Sequence, residues 1–330
     1  MAFPGYGCQI IGTGSALGGQ SVASHIYEDR LGLRRGWVAE RTGVVDRPVA
    51  VEGERTGVLG AAAARQALEN AGISAKELDL VICATMTAEM NCPATAQRIV
   101  SDIGGVPCGA FDLTSACTGF LTGMHIAANG IRAGAYRHVL VVGSDVLSDI
   151  VDQNDPKMAA LFGDAACAAV VSRSDDPNKG IVTQKICSDG GQWAYIYQPR
   201  CPADLPPNAE EPDRWNLLTM NGLAVYRFAI ETLTRMLPKV CDNAGLSIDD
   251  MQMVLLHQSN LRIVERVRDA LNLDANRCPT IIERTGNTSG GSLGVLLDAV
   301  RREGKITPGS HILLAAVGGG LSWGASIWRV

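Results

Sequence analysis

The stretch Asp112-Leu-Thr-Ser-Ala-Cys-Thr-Gly-Phe120 joins a β-like segment, Gly109–Leu113, to a segment with helical spacing. Apolar residues then recur with the period of one helix face, at Phe120, Met124, Ala127 and Ile131. The pattern predicts a strand that runs directly into a helix over residues 117–133. A strand followed at once by a helix is typical of α/β proteins.

Cys117 lies on the first turn of this predicted helix. Unpaired backbone N–H groups and the positive end of the helix dipole favour a thiolate over a thiol there. The neighbours Ser115, Ala116 and Gly119 are small and let a substrate carbonyl come close. The sequence therefore predicts a nucleophilic cysteine, and the alternative is a buried structural thiol.

Two further polar clusters stand in apolar surroundings, and either could supply a partner for the cysteine. A β-like run ends at His257, and a glycine-rich turn carries Asn287. Nucleophilic cysteines often have His and Asn partners that are distant in sequence and near in space. Spacing alone leaves two other interpretations open, a histidine at a strand end and a turn-forming asparagine.

Strand-like and helix-like segments alternate along the chain. Strands are predicted at 8–12, 80–84, 109–113, 139–143, 165–171, 180–188, 253–257, 280–282, 311–317 and 325–330, and helices at 59–71, 117–133, 223–244 and 261–271. The pattern predicts two α/β halves that divide near residues 172–179. The proline-rich segment 198–213 is predicted to be a loop or a lid.

Composition excludes several classes of protein. The chain has 330 residues, of which 46% are hydrophobic and 19% charged, so it can bury a large core. A net charge of −5 argues against general binding to nucleic acid or to a membrane surface. The start of the chain lacks the pattern of a signal peptide, and no apolar run approaches the ~20 residues of a membrane-spanning helix.

The ten cysteines have neither disulfide-framework nor metal-ligand spacing. We therefore expect a reduced, cytoplasmic enzyme without a metal. The segment Gly12-Thr-Gly14 is followed by Leu17 where a dinucleotide-binding fingerprint needs its third glycine. No cofactor is expected.

These segments together resemble the ketoacyl-acyl carrier protein synthase III family of the thiolase superfamily. The similarity extends in order along nearly the whole chain through Gly36-Trp-Val-Ala-Glu-Arg-Thr-Gly43, Phe162-Gly-Asp164, His257-Gln-Ser-Asn-Leu-Arg-Ile263 and Gly318-Gly-Gly-Leu-Ser-Trp-Gly324. The resemblance implies a duplicated five-layer α-β-α-β-α fold. Residues 1–172 would form the half with the cysteine, and 173–330 the half with the histidine and asparagine.

The resemblance also implies a reaction. Cys117 would take an acyl group from a thioester of coenzyme A or of acyl carrier protein. A malonyl thioester would then lose carbon dioxide, with its enolate held by His257 and Asn287, and condense to a 3-ketoacyl product. The backbone N–H groups of Cys117 and Gly319 would form the oxyanion hole.

Substrate contacts follow from the resemblance as well. Trp37 and Arg41 would enclose the adenine of coenzyme A, and Asn260 would contact substrate. Cys92 stands where the family has a phenylalanine at the end of the acyl pocket, which implies a roomier pocket. The pair Pro156-Lys157 stands where the family has a phosphate-binding Arg-Gly pair, so that arginine is missing and Lys157 is its candidate substitute. Leu223 replaces an asparagine near the pantetheine channel. These changes at substrate-contacting positions resemble those of family members that act in specialised metabolism.

The resemblance further implies a homodimer and a basic rim that docks an acidic carrier protein. The candidate docking residues are Arg227, Arg262 and Arg266. One alternative keeps Cys117 but transfers its acyl group to an alcohol or amine, with His257 as general base. Another is a non-catalytic partner subunit, against which the presence of Cys117, His257 and Asn287 argues.

Overall fold

A computed structural model describes residues 5–330 as two large β-sheets, two short strand pairs and ten α-helices. The strands are β1 (Gly7–Leu17), β2 (Gln20–Ala23), β3 (Asp46–Val49), β4 (Leu80–Ala84), β5 (Gly109–Leu113), β6 (His138–Asp145), β7 (Ala165–Ser174), β8 (Gly180–Ser188), β9 (Ile196–Tyr197), β10 (Thr219–Met220), β11 (Met251–Leu256), β12 (His311–Gly318) and β13 (Ser322–Arg329). The short pairs β2–β3 and β9–β10 stand apart from the two large sheets.

The helices are α1 (Ser24–Arg30), α2 (Trp37–Thr42), α3 (Thr56–Ala71), α4 (Thr95–Ile103), α5 (Gly119–Arg132), α6 (Pro156–Ala159), α7 (Gly222–Asn243), α8 (Leu261–Leu271), α9 (Ile282–Thr285) and α10 (Ser292–Arg302). Short 3₁₀ turns connect several of them, including Ala116–Thr118.

The first sheet has the strand order β1-β7-β6-β4-β5, and the second has the order β11-β12-β13-β8. Helices α5 and α10 lie between the sheets, because one buried apolar cluster contains both helices and strands of both sheets. Helices α3 and α4 cover the outer face of the first sheet, and α7 and α8 cover that of the second. The expected five-layer α-β-α-β-α fold is confirmed.

Several chain segments begin close together, because the strands that precede them are parallel and end at the same edge of a sheet. In the first sheet β4 is parallel to β5 and β6, and in the second β11 is parallel to β12. Chain segments that follow the carboxyl ends of such strands form the ligand-binding crevice of open α/β sheets. The segments after β4, β5, β6, β11 and β12 therefore provide the natural location of a site.

Most predicted elements form, with ends that differ by a few residues. The strand predicted at 280–282 is wrong, because Ile282 begins helix α9. Thr280 Oγ1 bonds the Glu283 carboxylate at 2.8 Å, and the Ile281 N–H bonds Gln258 Oε1 at 3.0 Å, so side chains take the place of a neighbouring strand. The segment 198–213 is a loop apart from one 3₁₀ turn, Pro202–Asp204, as its prolines predict.

Candidate active site

Cys117 sits in the 3₁₀ turn that joins β5 to α5, so it precedes the central helix as predicted. Gly318, at the end of β12, packs directly against it. A Cβ on Gly318 would lie 3.0 Å from the Cys117 Cβ and 3.0 Å from its backbone nitrogen. Only glycine lets the two halves of the chain approach this closely at the nucleophile.

Burial raises the pKa of the Cys117 thiol to about 12, and the nearby Asp145 carboxylate acts in the same direction. A contact from Cys117 Sγ to Ser289 Oγ, at 3.8 Å, opposes this only in part. Burial therefore opposes the stabilisation of a thiolate that the helix start was expected to provide. Desolvation outweighs the dipole, because a charge loses more by leaving water than a few N–H groups return.

His257 directly follows β11, and its backbone N–H donates to the Ala315 carbonyl of β12 at 2.8 Å. Its Nδ1 lies 2.9 Å from Ser292 Oγ, which also accepts the Gln258 N–H at 2.7 Å. A Ser292 hydroxyl that donates to Nδ1 leaves the ring proton on Nε2. Within residues 5–330 the buried Nε2 has no hydrogen-bond partner.

Burial also lowers the pKa of His257 to about 3. The imidazole is therefore neutral at ordinary pH. A neutral ring with its proton on Nε2 is a hydrogen-bond donor without permanent charge.

Asn287 is held in place through its backbone and through one end of its amide. Its N–H donates to the Leu161 carbonyl at 3.0 Å, and its carbonyl accepts the Gly163 N–H at 3.1 Å. Its Oδ1 accepts the Ser289 N–H at 2.9 Å. Because the oxygen is occupied in this way, the amide NH₂ is the end left to donate to a ligand.

Asp145, at the end of β6, is a functional candidate that the sequence reasoning missed. Its buried carboxylate accepts the N–H groups of Met86 at 2.8 Å and Gly290 at 3.0 Å, and the Thr85 hydroxyl at 3.1 Å. It thereby ties the segment after β4 to the turn that follows Asn287. The only sequence signal is an acidic residue at the end of an apolar strand.

A single cavity of about 470 Å³ brings most of the predicted residues together. The predicted residues that line it are Trp37, Arg41, Cys117, Lys157, Leu223, His257, Asn260, Asn287 and Gly319. Its wall is otherwise mostly apolar and includes Met86, Leu161 and Phe162. An apolar tunnel with a few convergent polar groups is the usual form of a small-molecule site.

Cys92 does not line this cavity. It is exposed in the loop between β4 and α4, and the wall of the cavity is formed by Met86 from the same loop. Within one chain Cys92 therefore stands apart from the cavity, and its role at the end of the acyl pocket stays a prediction.

The mouth of the cavity differs from expectation in one respect. The Arg41 guanidinium carbon lies 4.5 Å from the centre of the Trp37 ring, so the two side chains stack on each other. A base held between them needs about 7 Å, two layers of van der Waals contact. Enclosure of an adenine by these two side chains, as the resemblance implies, would require Arg41 to move away from Trp37 first.

The three predicted docking arginines are not equivalent. Arg227 and Arg266 are exposed. Arg262 instead bonds the Glu40 carbonyl at 3.0 Å and the Ala39 carbonyl at 3.2 Å, and pairs with Glu265 at 2.7 Å. The Arg262 side chain is still 38% exposed, and its docking role stays a prediction.

The comparisons with known proteins place these features in a family. A profile described as 3-oxoacyl-[acyl-carrier-protein] synthase III matches residues 111–190, and the profile of its C-terminal part matches residues 241–330. A β-ketoacyl-[acyl-carrier-protein] synthase III of Rhizorhabdus wittichii is 36% identical, over 97% of this chain and 98% of the relative. The chain belongs to the 3-oxoacyl-[acyl-carrier-protein] synthase III family.

Solved structures of the synthase III family agree. The 3-oxoacyl-[acyl-carrier-protein] synthase III of Aquifex aeolicus superimposes with a TM-score of 0.91 at 32% identity, covering 98% of this chain and 100% of that chain. The priming β-ketosynthase of the R1128 polyketide pathway gives a TM-score of 0.90 at 32% identity, covering 98% and 96%. The chain is thus an acyltransferase with the thiolase-like fold, of the type used in fatty acid and polyketide biosynthesis.

Two negative findings concern residues 5–330 alone. No helix in this range is long and apolar enough to cross a membrane. No group of three or more His, Cys, Asp or Glu side chains in it is arranged to hold a metal ion.

Proposed function

We propose that Cys117, His257 and Asn287 carry the catalytic steps of this synthase. The reaction is transfer of an acyl group from a thioester to a cysteine, followed by decarboxylative condensation with a malonyl thioester to a 3-ketoacyl product. The observation that carries the assignment is the convergence of two uncharged N–H donors, His257 Nε2 and the Asn287 amide, on the cavity that Cys117 lines.

In the first step the Cys117 sulfur attacks the thioester carbonyl. The bond to the departing thiol breaks, and the cysteine proton leaves with that thiol. The carbonyl oxygen carries negative charge in between, and the backbone N–H groups of Cys117 and Gly319 are the proposed donors to it. An acyl-cysteine results, which divides one difficult reaction into two easier ones.

In the second step a malonyl thioester loses carbon dioxide, and its thioester oxygen becomes an enolate. His257 and Asn287 donate to this oxygen. Donors aimed at developing charge in a site without water act strongly, because they need no reorganisation. The enolate carbon then attacks the acyl-cysteine, and the Cys117 thiolate leaves.

Transfer of the acyl group to an alcohol or amine is not favoured. That route needs His257 to accept a proton, and a pKa of about 3 makes it a poor base near neutral pH. The named relatives are ketoacyl synthases as well.

We also propose the donor and the partners. The exposed Arg227 and Arg266 suit an acidic carrier protein, and the mouth residues Trp37, Arg41 and Lys157 suit a nucleotide-bearing thiol. A homodimer is supported by β5, which lies at the edge of the first sheet with Phe111 exposed.

Other expectations stay proposals. All ten cysteines are free, which supports a reducing, cytoplasmic location. We propose that the enzyme uses no cofactor beyond its thioester substrates, and that the halves 1–172 and 173–330 are its two structural units.

Intact-protein mass spectrometry after incubation with acyl thioesters tests the nucleophile. The wild type should gain the mass of one acyl group. Cys117→Ala should gain none, because no other thiol among residues 5–330 lines the cavity. Cys167→Ala, at a buried cysteine outside the cavity, is the matched control and should still be acylated. An adduct that persists in Cys117→Ala moves the nucleophile elsewhere.

A further inference from the structure

The turn between β12 and β13 lies against the turn that carries Cys117. Gly318, the last residue of β12, pairs with Ser322, the first residue of β13. A Cβ on Gly319 would lie 3.6 Å from the Ala116 Cβ, so the two turns are in contact. The proposed oxyanion donors, the N–H groups of Cys117 and Gly319, belong to different halves of the chain. Their relative position therefore depends on how the two turns are joined.

Three side-chain hydroxyls in series, here called the hydroxyl chain, join the two turns. Ser115 Oγ lies 2.8 Å from Thr118 Oγ1, and Thr118 Oγ1 lies 3.0 Å from Ser322 Oγ. Ser322 Oγ in turn donates to the Gly319 carbonyl at 2.9 Å. Thr118 and Ser322 are both buried, so bulk water does not compete for the bonds between them.

The hydrogens of the hydroxyl chain can all run in one direction. Because the Ser322 hydrogen is used on the Gly319 carbonyl, the contact between Ser322 and Thr118 needs the hydrogen of Thr118. The Ser115 hydroxyl then supplies the hydrogen for its own contact with Thr118. The Ser115 carbonyl keeps a partner, since it accepts the Thr118 N–H at 3.1 Å. Hydrogen bonds arranged in series in this way strengthen one another.

Gly319 is the residue whose direction the hydroxyl chain controls. A glycine has no Cβ to restrict its backbone, and the next residue, Gly320, has a φ of +132°. Pairing between β12 and β13 fixes the chain before Gly319, and the Ser322 hydroxyl fixes the carbonyl after it. The direction of the Gly319 N–H is thus set from both sides.

From these contacts we propose that Thr118 and Ser322 are positioning residues for the oxyanion hole. Their hydroxyls hold the Gly319 N–H beside the Cys117 N–H, and neither side chain lines the cavity itself. The inference rests on the proposed function, in which these two N–H groups stabilise the tetrahedral intermediates formed at the cysteine. It concerns acyl transfer to and from that cysteine, because the enolate has donors of its own.

The hydroxyl chain predicts a defect in one kind of step. Thr118→Val keeps the shape of the side chain and removes its hydroxyl, so single-turnover acylation of Cys117 should slow by about tenfold. This is less than the roughly 10²–10³-fold loss that follows removal of an oxyanion donor, since the Gly319 N–H is still present. The concentration of acyl thioester that half-saturates the rate should change less than about twofold, because the donors act on charge that develops in the transition state.

Condensation gives a second readout, which a general disturbance of the site would not produce. Thr118→Val that has been acylated beforehand should release carbon dioxide from a malonyl thioester within about twofold of the wild-type rate, because the enolate donors are unchanged. Attack of the enolate carbon on the acyl-cysteine should be slow, since its tetrahedral intermediate needs the oxyanion hole. The waiting enolate then takes a proton from water and leaves as an acetyl thioester. The ratio of carbon dioxide to 3-ketoacyl product should therefore rise well above unity.

Further variants and one control make the test sharp. Thr118→Ser keeps the hydroxyl and should acylate within about twofold of the wild type. Ser322→Ala should slow acylation at least as much as Thr118→Val, and the double variant should be no slower than Ser322→Ala, because both side chains act through the same bonds. Thr122→Val is the matched control, since the Thr122 hydroxyl lies on α5 and bonds the Thr118 carbonyl at 2.9 Å, away from the Gly319 segment. It should acylate at the wild-type rate.

Each outcome decides between explanations. Equal slowing of acylation and decarboxylation in a folded Thr118→Val protein would show a general disturbance of the site and would overturn the inference. Wild-type acylation rates in both Thr118→Val and Ser322→Ala would overturn it as well, and would leave the proposed function intact. A wild type that takes no acyl group onto Cys117 refutes the proposed function and the role of the hydroxyl chain with it.

Discussion

The nucleophile and the enolate donors occupy one cavity but need not act in the same step. The Asn287 amide is oriented by the Ser289 N–H, and His257 by Ser292. Neither side chain bonds Cys117 Sγ, whose side-chain contact is Ser289. Cys117 is therefore not hydrogen-bonded to His257 or Asn287, the two residues proposed to bind the malonyl thioester.

The first prediction at the scale of single residues concerns Asn287. In Asn287→Ala the acyl-cysteine should still form, whereas decarboxylation of the malonyl thioester should fall about 10²–10³-fold, the usual cost of one lost oxyanion donor. Single-turnover acylation followed by mass spectrometry measures the first step, and release of labelled carbon dioxide measures the second. Equal losses in both steps would contradict the division of labour.

The second residue-scale prediction concerns pH. With the pKa of Cys117 at about 12, the thiolate fraction grows about tenfold per pH unit throughout the range from about pH 6 to 9. The kcat/KM of acylation should therefore rise with pH and show no plateau in that range, since kcat/KM reports the free enzyme. Stopped-flow acylation across this range is the measurement, and a plateau near pH 7 would show that the thiol is activated.

Iodoacetamide alkylation provides a second measurement of the same quantity. Cys92 and Cys201 are exposed and will also react, so Cys117→Ala supplies the background to subtract. The alkylation rate that remains should rise with pH in parallel with acylation.

At the scale of elements, we expect the mouth of the cavity to determine which donor is used. Leu223 offers no hydrogen bond, Pro156 replaces an expected arginine, and Arg41 would have to leave Trp37 to admit a base between them. One lost charge-assisted contact costs about 1.5–3 kcal/mol, or one to two decades of affinity.

We therefore expect slower acylation from acyl-coenzyme A than from the same acyl group on a carrier protein. Acylation rates measured side by side decide this. In Arg266→Glu, acylation should slow only when the acyl group is carried by the carrier protein. Equal or faster acylation of the wild type by acyl-coenzyme A would contradict the prediction.

The sequence predicted those elements whose pattern is local. Helix α8 has one apolar face toward the second sheet and was predicted within its true bounds. Helix α10 was missed although it is buried along nearly its whole length, because it follows directly on the glycine-rich turn Ser289–Gly291, and that segment was interpreted as a turn. Helix α2 and strands β2 and β3 are too short to produce a period at all.

The residues of the site likewise divide into those that the local sequence predicts and those that it does not. Cys117, His257 and Asn287 stand in distinctive local sequence and were predicted. Asp145 and the Ser292 contact were not, because their roles depend on which segments the fold brings together. The burial that raises the pKa of Cys117 was not predicted, since burial at the site cannot be read from neighbours along the chain.

For the whole molecule, the edge strand β5 yields a prediction about assembly. Phe111 is 38% exposed on this strand, and Val106, just before it, is 62% exposed. Two copies paired along β5 would join their sheets and cover these side chains. Light scattering should give twice the chain mass for the wild type and a single chain mass for Phe111→Glu.

Val182→Glu is the control for this prediction. Val182 is likewise exposed, at 41%, and lies on β8 at the edge of the second sheet. That variant should keep the wild-type mass. A single-chain mass for the wild type would contradict the dimer.

The central position of α5 has a consequence for synthesis on the ribosome. Its inner face packs on the first sheet, which can close once β7 emerges, but its other face is covered by α10 and by strands of the second sheet. Until residues beyond about 255 are made, the half-finished chain presents an apolar layer to water. Such a nascent chain is prone to aggregate and suits transient cover by a chaperone. The helix that displays the nucleophile thus acquires its full environment only near the end of translation.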